Sequence, residues 1–304
     1  MVVGTGGVGG YFGGLLAKKY QDIIFLARGS HLKAIQNKGL IVESYKGNFA
    51  VKVKATSDPK IIDPPDLILF CVKSFNTLKA AAEIKSFLKK DTAIISLQNG
   101  IDNVEKLEKI FGKGRVLGGV VYIFSMIKKP GIIHHSAGGR IVFGELDGKV
   151  SFRTKEILKI FQDADIHCSI SDSIFKDLWE KLVWNSFFNA FTAITRKTVK
   201  EVMEDNDSVE LARLGMKEIL EVARAESVLL DEKAIDKALE LSQNVGHDKT
   251  SMLRDLEKGR PLELEALNGE VVRRGIKYGI PVPVNQTLYT ILKLMSAPDS
   301  FFKD

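Results

Sequence analysis

The chain has 304 residues, of which 45% are hydrophobic and 27% charged, so it has room for about two domains and is neither a small disulfide-stapled scaffold nor a disordered protein. Its net charge of +6 is modest and no basic block is interleaved with aromatic residues, which argues against a nucleic-acid partner. Two cysteines, Cys71 and Cys168, are too few for a disulfide framework and favour the cytoplasm.

The first half alternates short β-rich runs with amphipathic stretches, a pattern typical of a parallel sheet covered by helices. We predict strands at 2–3, 23–27, 67–72, 93–97 and 116–124, and helices at 11–20, 32–38, 78–88 and 103–110. The segments 39–53 and 131–145 alternate apolar and polar residues and predict extra strands outside this core. Residues 166–170 predict the last strand.

Beyond Ser171 the periodicity becomes helical and stays so, with predicted helices at 174–195, 208–227, 232–243, 262–277 and 286–295. We therefore expect an α/β domain over 1–171 and a helical domain over 172–304. Asp207 and Asp231 are the N-cap candidates, and Gly279, Pro281 and Pro283 form a predicted stop. The most apolar stretch, 178–195, is interrupted by Glu180, Lys181 and two asparagines, so it predicts no membrane span.

The segment Gly4-Thr5-Gly6-Gly7-Val8-Gly9 fits the pattern G-x-G-x-x-G directly after a strand and directly before a helical pattern. Glycines there permit a tight turn and close backbone approach to a pyrophosphate, which the helix N-terminus attracts. The alternative is a glycine-rich turn without a ligand. In this context the motif indicates dinucleotide binding.

Arg28 follows the predicted second strand, roughly 20 residues after the motif, where an NAD-binding protein usually carries an acid for the ribose 2′-hydroxyl. A guanidinium at this position binds a 2′-phosphate bidentately. The residue therefore favours NADP(H) over NAD(H). The alternative is a solvated surface charge.

Lys73 and Asn99-Gly100 follow the third and fourth strands. Ligands of an open parallel sheet bind beyond the carboxyl ends of its strands, so both positions are expected to face the cofactor. The alternatives are a surface lysine and an ordinary turn dipeptide.

Lys181, Asn185 and Asn189 are spaced i, i+4 and i+8 on an otherwise apolar helix, so they fall within roughly 80° of one another on its surface. The aromatic residues around them would remove the lysine from water and lower its pKa, which suits a general acid. The alternative is one solvated lysine and two amides that bond backbone carbonyls.

Ser251 and Glu263 have structural alternatives of equal weight, because a serine can cap the helix that follows and an acid suits a first helical turn. The five histidines, His31, His134, His135, His167 and His247, show no metal-ligand spacing. No metal site is predicted.

Taken together, these residues resemble the ketopantoate reductase family, the 2-dehydropantoate 2-reductases that supply pantoate toward coenzyme A. The resemblance rests on the glycine motif, Arg28, Lys73, Asn99-Gly100, the block Leu178-Trp179-Glu180-Lys181-Leu182 with its two asparagines, Ser251-Met252, and Glu263 with Asn268-Gly269. It implies a Rossmann-type, doubly wound N-terminal domain with extra strands and an all-α C-terminal domain of the 6-phosphogluconate dehydrogenase type.

The resemblance also implies roles for the candidate residues. Lys181 would donate the proton, and Asn185, Asn189 and Ser251 would bind the hydroxyl and carboxylate end of the substrate. Asn99 and the catalytic Glu263 would lie where cofactor and substrate meet, with Lys73 close to the nicotinamide.

Two positions depart from the family pattern. Val199 stands where some members carry a further substrate asparagine, and Asp248 stands where some carry Asn three residues before the serine. An acid at 248 would disfavour a carboxylate substrate or point away from it. The identity of the 2-keto acid is therefore less constrained than the chemistry.

The expected reaction is hydride transfer from NADPH to the carbonyl carbon of a small 2-keto acid, with Lys181 as the proton donor. One alternative is a reductase of the same fold that acts on another 2-keto acid or a 3-hydroxy acid. Another is a protein that senses NADP without turnover, which would need no placed proton donor. Neither a nucleic acid nor a membrane is an expected partner, and the sequence leaves self-association into a homodimer open.

Overall fold

The computed structural model describes residues 1–243, 245–246 and 248–296. His247 lies outside the described residues. Within them the chain forms two compact units, the first made of Met1–Gln98 and Asn103–Asp177, the second of Asn99–Asp102 and the chain from Leu178 onward.

The first unit contains ten strands and five α-helices. The strands are β1 (Val2–Val3), β2 (Ile24–Leu26), β3 (Leu40–Ser44), β4 (Phe49–Val51), β5 (Lys54–Thr56), β6 (Leu67–Phe70), β7 (Ala93–Ser96), β8 (Val116–Lys129), β9 (Ile132–Glu145) and β10 (His167–Ile170). The helices are α1 (Gly7–Lys19), α2 (Gly29–Lys38), α3 (Thr77–Ile84), α4 (Asn103–Phe111) and α5 (Phe152–Asp163).

One mixed sheet joins all these strands in the order β4-β3-β9-β8-β7-β6-β1-β2-β5, with β10 beside β9. The run from β8 to β5 is parallel, as the alternating sequence predicts. The extension is not wholly parallel, because β8 and β9 are joined by a tight turn at Gly131 and must run antiparallel. The predicted extra strands at 39–53 and 131–145 form β3, β4 and β9.

The glycines of α1 let this helix lie close to the sheet. A Cβ at Gly13 would come within 2.6 Å of the Phe25 ring, and one at Gly10 within 2.6 Å of Ile133. Phe25 and Ile133 are both completely buried, so larger residues at positions 10 and 13 would push α1 off the strands that it covers. The start of α1 is thereby held at the carboxyl end of β1.

The second unit is helical among its described residues. Its helices are α6 (Ile174–Thr195), α7 (Val199–Met203), α8 (Asn206–Ala225), α9 (Lys233–Gln243), α10 (Ser251–Glu257), α11 (Asn268–Tyr278) and α12 (Pro283–Met295). The division between the units falls within α6, between Asp177 and Leu178, whereas the sequence places the boundary at Ser171. An α/β domain with extra strands followed by a helical domain confirms the predicted fold class.

Several predicted helix ends are wrong. Asp205 caps α8 by accepting a hydrogen bond from the Ser208 N–H at 2.8 Å, so Asp207 is not the cap. Residues 262–267 are not helical, and α11 begins at Asn268. Pro283 begins α12 rather than ending a helix, because the first helical position needs no N–H donor. Gly279 does end α11, with φ +66°.

No helix among the described residues combines the length and the apolar character needed to cross a membrane.

Candidate functional site

The glycine motif forms the turn between β1 and α1. Gly4 has φ +96°, and a Cβ there would lie 2.7 Å from the backbone nitrogen of Val72, while one at Gly9 would lie 2.2 Å from the Gly4 oxygen. The Thr5 hydroxyl donates to the Leu26 carbonyl at 3.1 Å and ties the turn to β2. These two glycines are required by the turn itself.

Gly6 is different, because a Cβ at that position would meet nothing within 4 Å. Gly6 immediately precedes α1, and no side chain caps the helix. The space beside Gly6 is therefore open, directly before the positive end of the helix dipole. This is the arrangement that a pyrophosphate group fits.

Arg28 lies between β2 and α2, at the position predicted from the sequence. Its side chain is 60% exposed and its Nη2 donates to Oε2 of Glu83 on α3 at 2.5 Å. The guanidinium therefore stands at the surface next to a carboxylate.

Lys73 is partly buried and begins the turn between β6 and α3. A nearby residue that sequence reasoning missed, Gln98, ties the ends of β6 and β7 together, because its Nε2 donates to the Val72 carbonyl at 2.9 Å and to the Thr77 hydroxyl at 2.7 Å. The sequence signal that could have identified Gln98 is its position directly before Asn99, at the end of the fourth predicted strand. The glycine motif, Arg28 and Lys73 all belong to the first unit.

The second unit brings together three predicted residues from distant parts of the chain. Lys181 Nζ on α6 donates to Oδ1 of Asn99 at 3.0 Å, and Nδ2 of Asn99 donates to Oε2 of Glu263 at 3.4 Å. Gly100 has φ +93°, and a Cβ there would lie 2.5 Å from the Ala266 carbonyl oxygen. The Asn99-Gly100 segment is therefore packed against the chain that carries Glu263, and it is not an ordinary turn.

Burial lowers the pKa of Lys181 from 10.5 to about 8, and the negative charge of Glu263 opposes that shift. Glu263 itself is only 7% exposed and lies in the irregular segment before α11, so its predicted place in a first helical turn is wrong. At neutral pH Lys181 holds its proton but releases it more easily than a solvated lysine does. Such an amine is suited to protonate an oxygen that gains charge.

Asn185 and Asn189 are buried on α6 beyond Lys181. Nδ2 of Asn189 donates to Oδ1 of Asn185 at 3.3 Å, and Oδ1 of Asn189 accepts from the Ser251 hydroxyl at 3.2 Å and from the Met252 N–H at 3.4 Å. The polar stripe formed by Lys181, Asn185 and Asn189 therefore extends from α6 to the first turn of α10. Asn189 bonds both a predicted site residue and a helix backbone.

Ser251 is exposed and is not the cap of α10. The cap is Thr250, whose hydroxyl accepts from the Leu253 N–H at 3.3 Å. The Ser251 hydroxyl therefore remains directed to Asn189, on the side of the helix where the stripe lies.

The two departures from the family pattern have structural explanations. Val199 is completely buried at the start of α7 and belongs to the core. Asp248 accepts a hydrogen bond from Arg254 Nη2 at 3.0 Å, so its charge is balanced within the unit.

Among residues 1–243, 245–246 and 248–296, no group of three His, Cys, Asp or Glu side chains is placed to hold a metal ion. Both cysteines are free. Burial raises the pKa of the Cys71 thiol far above its usual range and that of Cys168 to about 11, which makes neither a nucleophile.

Comparison with known proteins identifies two family models on the chain. Residues 1–148 match the model of ketopantoate reductase PanE/ApbA, and residues 173–296 match the model of its C-terminal part. A 2-dehydropantoate 2-reductase of Archaeoglobus fulgidus is 32% identical over 293 residues, which are 96% of each chain.

Solved structures resemble this fold over nearly its whole length. The crystal structure of 2-dehydropantoate 2-reductase from Geobacter metallireducens is 34% identical, with a TM-score of 0.91 over 97% of this chain and 99% of that one. A ternary structure of D-mandelate dehydrogenase with NADH and anilino(oxo)acetate has a TM-score of 0.91 over 100% of both chains at 22% identity. At that lower identity the likeness concerns the fold alone.

Proposed function

Since the chain belongs to the ketopantoate reductase family, a family of NAD(P)-dependent oxidoreductases, we propose that it catalyses the NADPH-dependent reduction of 2-dehydropantoate to pantoate. The product would serve pantothenate and coenzyme A synthesis in the cytoplasm. The observation that carries the proposal is the hydrogen-bonded row Lys181, Asn99 and Glu263 with a lysine pKa lowered to about 8.

The first unit would hold the cofactor. The open backbone at Gly6 and the start of α1 suit the pyrophosphate, Arg28 suits the 2′-phosphate, and Lys73 would lie toward the nicotinamide. When bound, the nicotinamide supplies the hydride that reduces the carbonyl carbon.

Lys181 would donate a hydrogen bond to the substrate carbonyl oxygen and give it a proton as negative charge develops there. Asn99 Oδ1 holds the ammonium in one position, and Glu263 favours its protonated form. A fixed donor in a desolvated place stabilises the developing alkoxide more than water does. We assign the catalytic roles to Lys181 and Glu263 on this basis.

Asn185, Asn189 and Ser251 would bind the hydroxyl and carboxylate end of the substrate. Asn189 and Ser251 are already bonded to each other, so the polar groups are held in place before a substrate arrives. Because Arg254 balances Asp248, the acid at 248 does not exclude an anionic substrate.

The test is an assay of NADPH oxidation, followed by nicotinamide absorbance, with 2-dehydropantoate beside a panel of other 2-keto acids. The proposal expects kcat/KM to be highest for 2-dehydropantoate. A second candidate, reduction of another 2-keto acid by the same residues, is favoured by Val199 and Asp248, which stand where some members carry asparagines. A preference of at least about tenfold for another 2-keto acid, equivalent to 1.4 kcal/mol, would replace the first candidate by the second.

A further inference from the structure

The ion pair between Arg28 and Glu83 joins two elements of the first unit that the sequence separates by 55 residues. Arg28 immediately precedes α2, and Glu83 is the penultimate residue of α3. A carboxylate in the last turn of a helix is opposed by the helix dipole. The charge of Glu83 therefore destabilises α3, and its ion pair with Arg28 offsets that effect.

Both side chains of the pair remain accessible, with 60% of Arg28 and 38% of Glu83 exposed. Arg28 stands after the second strand, where a nucleotide-binding sheet contacts the adenosine ribose, and the ion pair places the Glu83 carboxylate beside it. An acid at such a place accepts a hydrogen bond from a ribose 2′-hydroxyl and repels a 2′-phosphate, whereas a guanidinium attracts that phosphate. This protein presents both groups, the guanidinium from the end of β2 and the carboxylate from α3.

We infer that the Arg28–Glu83 pair sets the cofactor choice and that the protein uses NADH as well as NADPH. Glu83 supplies, from a different element, the acid that the end of β2 lacks. It limits the preference for NADPH that Arg28 alone would give. The inference rests on the proposed nicotinamide-dependent reduction and adds a specificity-determining residue to it.

Two substitutions of Glu83 separate its charge from its ability to accept a hydrogen bond. Glu83→Gln removes the charge and keeps an acceptor, so the Kd of NADPH should fall about 5-fold, the effect of one charge pair at 4 Å in water. The Kd of NADH should change by less than about twofold. Glu83→Ala also removes the acceptor, so the Kd of NADH should rise roughly 3- to 10-fold.

The experiment measures both Kd values by calorimetry on the full chain without a keto acid. Glu156→Gln is the matched control, because Glu156 is exposed on α5 of the same unit and its loss changes the net charge equally. Its Kd values should equal those of the wild type. The gain for NADPH in E83Q should shrink at high salt, which screens exposed charges.

Three results would overturn the inference. A higher Kd for NADPH in E83Q would mean that Glu83 only positions Arg28. Equal changes in the Kd values of both cofactors would mean that the Arg28–Glu83 pair does not set the cofactor choice. Failure of the wild type to bind NADH would contradict the use of both cofactors. The substrate proposal is judged separately, since binding of both cofactors without reduction of 2-dehydropantoate would contradict that proposal and leave this inference intact.

Discussion

Lys181 is the residue whose replacement tests the chemistry most directly. Lys181→Ala should lower kcat at least about 10²-fold, the usual contribution of a general acid, because Asn99 and Glu263 retain no ammonium to orient. The Kd of NADPH should stay near that of the wild type, since the proposed phosphate ligands, the turn at Gly6 and Arg28, lie in the first unit. Steady-state kinetics and calorimetry measure the two quantities, and an undiminished kcat would contradict the assignment.

The lowered pKa of Lys181 also predicts a pH dependence. Below about pH 8 the amine carries its proton and can donate it, so kcat for reduction should be level there and fall as pH rises further. Lys181→Arg keeps its charge at every accessible pH, so any activity that it retains should lack the alkaline fall. A pH–kcat profile of both proteins checks this, and the same fall in the arginine variant would assign it to another group.

Arg28 is the residue on which the NADPH proposal depends. Arg28→Ala should raise the KM for NADPH far more than the KM for NADH, because only the 2′-phosphate loses a partner. Charge-assisted hydrogen bonds contribute roughly 1.5–3 kcal/mol, which corresponds to about 10- to 150-fold. Kinetics with each cofactor give the ratio, and equal losses would remove Arg28 from the phosphate site.

At the scale of elements, Asn189 connects α6 to the first turn of α10. Asn189→Ala should lower the thermal midpoint by about 2–4 °C, because the Met252 N–H loses its acceptor at a cost of about 1 kcal/mol. It should also raise the KM for 2-dehydropantoate. Both are measured on the same preparation, by thermal unfolding without ligands and by kinetics.

Ser251→Ala is the matched control for that variant, because it removes the hydroxyl and keeps the bond between the Met252 N–H and Asn189. It should raise the KM and leave the thermal midpoint within about 1 °C. If Asn189→Ala lowers only the midpoint, Asn189 is a packing residue and does not belong to the substrate site.

The sequence predicted long elements better than their ends. The 22-residue helix α6 has enough turns for its periodicity to be read, whereas β5 and α7, of 3 and 5 residues, are too short to show a period. Neither was predicted, and the 12-residue helix α5 was also missed. Helix ends depend on single hydrogen bonds. Both Asp205 and Asp207 have a side chain suited to capping, and only the backbone path decides that Asp205 accepts from Ser208.

At the scale of the whole molecule, the sequence predicted which residues form the candidate site but not how they are arranged in space. Its residue types followed from motifs and from helical spacing, but its geometry did not, because Asn99 is 82 residues from Lys181 and 164 from Glu263. The local sequence pattern gives no sign that Asn99–Asp102, which lie in the first half of the chain, belong to the second unit. Gln98 was missed for a similar reason, since its partners Val72 and Thr77 are brought near only by strand pairing.

At alkaline pH, the lowered pKa of Lys181 should make the free energy of unfolding of the whole molecule depend on pH. Its pKa is about 8 in the folded protein against an ordinary 10.5, so the unfolded chain binds the proton more tightly and unfolding takes up a proton between these values. Stability from this residue therefore rises with pH across that window. Relative to Lys181→Met, the wild-type thermal midpoint should rise from pH 8 to 10.5, and midpoints that change in parallel would contradict the lowered pKa.

The membership of Asn99–Asp102 in the second unit has a consequence for synthesis on the ribosome. These residues emerge long before Glu263, which follows Asn99 by 164 residues. At about 5–20 residues per second, the segment waits roughly 8–30 s for its partner. During that interval β1 to β7 have already been synthesised, while the left-handed Gly100 has no Ala266 carbonyl to pack against. The 99–102 segment therefore lacks its partner in the second unit through most of translation, and the hydrogen-bonded row of Lys181, Asn99 and Glu263 forms only after the last third of the chain has been synthesised.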